Sequence, residues 1–148
     1  MNNRRYLAKS YAKFIYNYIG EDFINFDVIT FVPMTKKKEK ERSFNQSKLL
    51  AEELAKISNL KICKCLIKVS ETKEQKKLNF NERKKNLSNC FRIVNEKEIE
   101  NKRVLLVDDI ITTCATMDTC SKLIAKYAKS VSVAGVARNI IKDENKDD

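Results

Sequence analysis

Residues 104–116 read VLLVDDIITTCAT, and the order of residue types in this stretch decides the fold. Val104, Leu105, Leu106 and Val107 form an apolar run too short for an ordinary helix. Such a run suits a parallel strand covered on both faces. It ends on two adjacent carboxylates, Asp108 and Asp109, where a buried chain would not leave charge unpaired. A hydroxyl-rich turn follows (Thr112, Thr113, Thr116), then a helix with an apolar stripe of Thr116, Cys120, Leu123, Ile124 and Tyr127. This order predicts an α/β fold, a mainly parallel sheet flanked by helices, in which ligands sit at the carboxyl ends of the strands. The helix N-terminus adds free N–H groups and a dipole that attract anions.

The acids narrow the ligand. A lone phosphate would be repelled by two carboxylates, whereas a ribose phosphate offers them hydroxyl donors beside the anion. A solvated helix cap also explains an acid pair ending a strand. Receiver domains carry such a pair near their start, but here it lies in the last third of 148 residues. A nucleotide P-loop is excluded, since the two glycines, Gly20 and Gly135, cannot form G-x-x-x-x-G-K-[ST]. The stretch resembles the phosphoribosyl-pyrophosphate (PRPP) signature of type I phosphoribosyltransferases: apolar strand, two acids, and a Thr-Thr-Gly-x-Thr loop. Cys114 stands where that loop has glycine.

Composition bounds the chemistry. Hydrophobic residues at 43% and charged ones at 34% fit a soluble globular domain, read as one unit over residues 1–148. No apolar run has the length of a membrane span, and no signal-peptide pattern opens the sequence. The five cysteines (Cys63, Cys65, Cys90, Cys114, Cys120) include no C-x-x-C pair, which predicts reduced thiols in cytoplasm and argues against a zinc site. With no histidine, chemistry must run on carboxylates, cations and hydroxyls. The net charge of +10 points to anionic partners. It concentrates in residues 36–42, with five bases and two acids, and in residues 73–85, with six bases and two acids.

Along the chain, residues 4–19 predict an amphipathic helix with Leu7, Tyr11, Phe14, Ile15 and Tyr18 on one face and Gly20 as its stop. Residues 27–32 (DVITFV) predict a strand closed by Pro33, followed by a basic loop over residues 34–43. Ser43 and Gln46 have capping-box spacing ahead of a helix with Leu50, Leu54 and Ile57 inward. Further strands are expected at 65–69, 91–94 and 131–137. The polar residues 70–89 read as a linker or a functional lid, and residues 140–148 as a frayed tail.

The order of V-P (32–33), R-S-F-N-Q (42–46), T-x-x-Q (72–75), E-R-x-x-N (82–86), C-F-R-I (90–93), V-D-D-I-I-T-T-x-A-T (107–116) and A-R (137–138) resembles the ComF competence-protein family. ComF proteins are type I phosphoribosyltransferase-like (Rossmann-like) and are linked to DNA uptake. Ser43 replaces the family's glycine, and the family's N-terminal zinc-binding Cys segment has no counterpart.

The resemblance implies a role for each motif. Asp108 and Asp109 would hold the ribose hydroxyls as the catalytic pair. Thr112, Thr113, Cys114, Ala115 and Thr116 would bind the 5′-phosphate. Pro33, Thr35 and Arg42 would face pyrophosphate. Lys76, Lys77 and Arg83 would belong to a lid over the phosphates. Mg²⁺ would enter on the pyrophosphate, with Asp108 and Asp109 as the protein groups able to reach it. Three readings remain open: a PRPP- or ribose-phosphate-binding protein of natural competence, with single-stranded DNA and DNA-uptake proteins as partners; an active phosphoribosyltransferase, a glycosyl-transfer enzyme of nucleotide metabolism; or an interaction module that has lost its ligand.

Overall fold

The computed structural model describes residues 2–71, 79–111 and 115–137. Four parallel strands form the main sheet in the order β2-β1-β5-β6: β1 Val28–Phe31, β2 Lys61–Ile62, β5 Arg103–Ile111 and β6 Ser130–Ala137. β3 Leu66–Lys68 and β4 Phe91–Ile93 pair antiparallel as a separate ribbon. The helices are α1 Asn2–Ile19, α2 Lys36–Arg42, α3 Gln46–Ser58, α4 Phe80–Ser88 and α5 Ala115–Ala125. The expected parallel α/β sheet with flanking helices is what the chain forms.

The core splits at β5 as a strand covered on both sides must. Val104 and Leu106 join Met117, Cys120 and Ile124 of α5, while Leu105 and Val107 join Ala12 and Ile15 of α1 and Leu50 and Leu54 of α3. All four strand residues are buried, each stabilising the fold by roughly 1.5–3 kcal/mol. At its amino end β5 is clamped to β1 by a fork: Arg103 Nε and Nη2 donate to Asp27 Oδ2 and Oδ1 at 3.0 and 2.9 Å.

Several sequence expectations need correction. In α1 only Ile15 of the expected face is buried; Ala8 and Ala12 line the contact, because small side chains let the helix approach α3 and the sheet closely. Leu7, Tyr11, Phe14 and Tyr18 are exposed. Residues 36–42 are a helix rather than a loop, N-capped by Thr35, whose Oγ1 accepts from Lys38 N. With no buried residue, α2 carries no apolar period to read.

The cap of α3 is Asn45, accepting from Ser47 N and Lys48 N; Ser43 instead ends α2 at φ 63°, the left-handed conformation that explains a family glycine there. Ile57 is exposed. Within the polar stretch read as a linker or a lid, residues 80–88 form α4, opened by a capping box between Asn79 and Glu82. Tyr127 is exposed, and Met117 and Thr119 take its place in the buried face of α5. β2 carried no sequence signal, being two exposed residues long.

Candidate functional site

The acid pair does not end β5. The strand runs on to Ile111, but its register against β6 shifts between Asp108, opposite Gly135, and Ile110, opposite Val136. Asp109 is the extra residue of a bulge. In a regular strand two successive side chains point to opposite faces. The bulge re-aims the chain, and both carboxylates reach one hydroxyl: Ser47 Oγ lies 2.8 Å from Asp108 Oδ1 and 3.2 Å from Asp109 Oδ1.

A hydroxyl has one proton to give. Asp109 N–H donates to Ser47 Oγ at 3.2 Å and to Asp108 Oδ1 at 2.9 Å. The shorter Ser47 contact therefore assigns the hydroxyl proton to Asp108. Ser47 is buried in the first turn of α3. Asn45 fixes that turn, because its Nδ2 also donates to Val32 O at the end of β1 (3.3 Å). Burial pushes the Asp108 carboxyl up to about 6; Ser47 opposes this and neighbouring Asp109 adds to it.

These groups line a cavity of ≈ 120 Å³ bounded by Pro33, Arg42, Phe44, Gln46, Asp108 and Asp109 among others. Of the residues singled out from sequence, the structure thus brings together Asp108, Asp109, Pro33 and Arg42. Thr35 is buried beside them in sequence but serves α2, and its hydroxyl donates to the Glu71 carboxylate. Glu71 also faces Lys38 Nζ at 3.5 Å and Lys68 Nζ at 3.9 Å, and these contacts lower its pKa, the Thr35 bond most. Arg83 is exposed on α4 and does not line the cavity. Ala115 and Thr116 open α5. Thr112, Thr113, Cys114, Lys76 and Lys77 lie outside the described residues.

Ser47 and Glu71 escaped the sequence reading. Nothing local marks a serine after Phe-Asn-Gln as a carboxylate partner, and Glu71 sits among polar residues. The donor set suits Mg²⁺, a hard cation bound through one or two carboxylates together with substrate phosphates. Among the described residues, no group of three metal-ligating side chains converges.

A family model described as "Phosphoribosyl transferase domain" matches residues 6–148. The chain belongs to the phosphoribosyltransferase domain family. Within it, two of the relatives carry competence names, in line with the ComF motifs, and others are named DNA utilization proteins. Competence protein F of Haemophilus influenzae is 34% identical over 115 residues, covering 76% of this chain and 50% of that protein. Competence protein ComFC of Bacillus subtilis is 32% identical over 107 residues, 72% of this chain and 42% of that protein. This phosphoribosyltransferase domain thus spans about half the length of the curated relatives it matches. Among solved structures, a purine phosphoribosyltransferase from Pyrococcus horikoshii shares the fold at TM-score 0.55 and 17% identity, covering 88% of this chain and 73% of its own. Among the described residues no helix is long and apolar enough to cross a membrane.

Proposed function

We propose that this phosphoribosyltransferase domain binds PRPP or a close ribose phosphate with Mg²⁺ at the carboxyl ends of β1 and β5, and that it serves DNA uptake. One observation carries the reading: a bulge turns Asp108 and Asp109 toward one buried hydroxyl beside a cavity that also holds Arg42. The carboxylates accept hydrogen bonds from vicinal sugar hydroxyls, and charge-assisted bonds of this kind are the stronger sort. Arg42 supplies positive charge for phosphate oxygens. Mg²⁺, when bound, neutralises charge on the pyrophosphate. Asp108 and Asp109 are the side chains that would hold it.

The names of two relatives, both competence proteins, supply the context of DNA uptake, in which single-stranded DNA and uptake proteins are the expected partners. Transfer of the ribose phosphate to an acceptor is the second reading. Departure of pyrophosphate from C1 builds negative charge on the leaving group, which the Arg42 guanidinium at the cavity would stabilise. The chemistry needs no proton-moving histidine, which this chain lacks.

Isothermal titration of the chain with PRPP and Mg²⁺ tests the proposal. Binding is expected, and Asp108→Asn with Asp109→Asn should weaken it at least tenfold while circular dichroism stays unchanged. Equal affinity in the double variant would make the acids a structural cap.

A further inference from the structure

Ser47 touches both acids without being able to serve both. Its Oγ donates to Asp108 Oδ1 at 2.8 Å and accepts from Asp109 N–H at 3.2 Å. A hydroxyl has a single proton to give, so none is left for Asp109 Oδ1, which lies 3.2 Å from the same oxygen. Asp108 Oδ1 also takes the Asp109 N–H, at 2.9 Å. Oδ1 of each acid is thus turned to Ser47, and Oδ2 of each remains for a donor in the cavity that both acids line.

Ser47 is itself held from two sides. It is 4% exposed in the first turn of α3, where Asn45 Oδ1 accepts from its backbone N–H at 2.9 Å. Asn45 Nδ2 in turn donates to Val32 O, just past the end of β1. The hydroxyl is therefore a fixed point between the sheet and α3, whereas an aspartate left to itself turns about two side-chain torsions.

We propose, on the reading that a ribose phosphate binds here, that Ser47 is a positioning residue that makes the site prefer a vicinal 2,3-diol over the 2-deoxy sugar. Two carboxylates pinned to one hydroxyl present two acceptors at a fixed separation, and a cis-diol brings two donors to meet them. The 2-deoxy sugar brings one, and a charged oxygen is left without its partner, which is costly in a site built for hydroxyls. Without the Ser47 hydroxyl, each carboxylate can rotate toward the 3-hydroxyl that both sugars share, and the penalty shrinks. The acids supply the affinity, and Ser47 supplies the discrimination. Deoxynucleotides, which lack the 2-hydroxyl, would be poor competitors for the site.

Calorimetric titration of the whole chain with ribose 5-phosphate and with 2-deoxyribose 5-phosphate tests this, each with Mg²⁺ at about pH 8, above ordinary carboxyl titration. The wild type should prefer the ribose form by about tenfold or more. Ser47→Ala should bring the two affinities within about threefold of each other, with the circular dichroism spectrum intact. Ser47→Cys, which keeps the volume but offers only a weak donor, should do the same. A merely structural role would lower both affinities together and keep their ratio. A wild type that binds neither sugar phosphate defeats the ribose-phosphate reading, and this proposal with it. One that binds both alike defeats the proposal alone, as does a ratio left unchanged by Ser47→Ala or by Ser47→Cys.

Discussion

Ser47 donates its hydroxyl to Asp108 at 2.8 Å across a separation of 61 residues, and so ties the first turn of α3 to the bulge in β5. This bond opposes the rise in the Asp108 pKa that burial causes. Ser47→Ala should therefore move the Asp108 midpoint above about 6, as read by carbon-detected NMR of the carboxyl. It should also cost ~1 kcal/mol in denaturant unfolding. An unmoved midpoint would show that the contact does not hold the charge.

Asp108 should also leave its mark on stability. Its carboxyl titrates near 6 in the folded chain against 3.8 for the free group, so folding takes up a proton between those values. The wild type then loses stability as pH rises from about 4 to 6. Asp108→Asn escapes that loss and should be more stable by about 1–3 kcal/mol at pH 7–8. The advantage should fade as pH falls below 6. A pH-independent difference in urea midpoints would contradict the sign.

Lys36, Lys37 and Lys40 stand exposed on α2, whereas Lys38 is engaged with Glu71. If single-stranded DNA runs along this helix, its affinity should fall steeply with salt, with a slope of about −0.7 per phosphate contact. Changing the three exposed lysines to Gln should lessen the slope by roughly 2. Binding that ignores salt, measured by fluorescence anisotropy from 50 mM upward, would count against a backbone contact.

Cys114 lies outside the described residues, and its prediction rests on chemistry alone. A phosphate loop brings successive N–H groups onto one anion, which a glycine permits and a Cβ crowds. A thiolate at a helix start would add repulsion. Cys114→Gly should tighten PRPP binding several-fold, and the wild-type affinity should fall as pH rises through the thiol's titration. Equal affinities without a pH trend in calorimetry would mean that the loop accepts cysteine.

How far the sequence reaches depends on the kind of signal. By itself it determined the parallel sheet, because the unbroken apolar run Val104–Val107 suits a strand covered on both faces, and β5 is so covered, by α5 on one side and by α1 and α3 on the other. It marked the acid pair as the centre of the candidate site through local motif chemistry, and the structure puts both acids on one cavity. Periodicity named the buried Ile15, Leu50, Leu54, Cys120 and Ile124 but put Leu7, Tyr11, Phe14 and Tyr18 beside Ile15, since apolar spacing cannot say which of two adjacent helix faces meets the sheet. α2 was illegible because it buries nothing. Only the tertiary structure decided that Asp109 sits in a bulge, that Ser47 meets both acids and that Asn45 pins α3 to β1. Each of these depends on register or on contact between distant segments, and neither leaves a trace in the residues on either side.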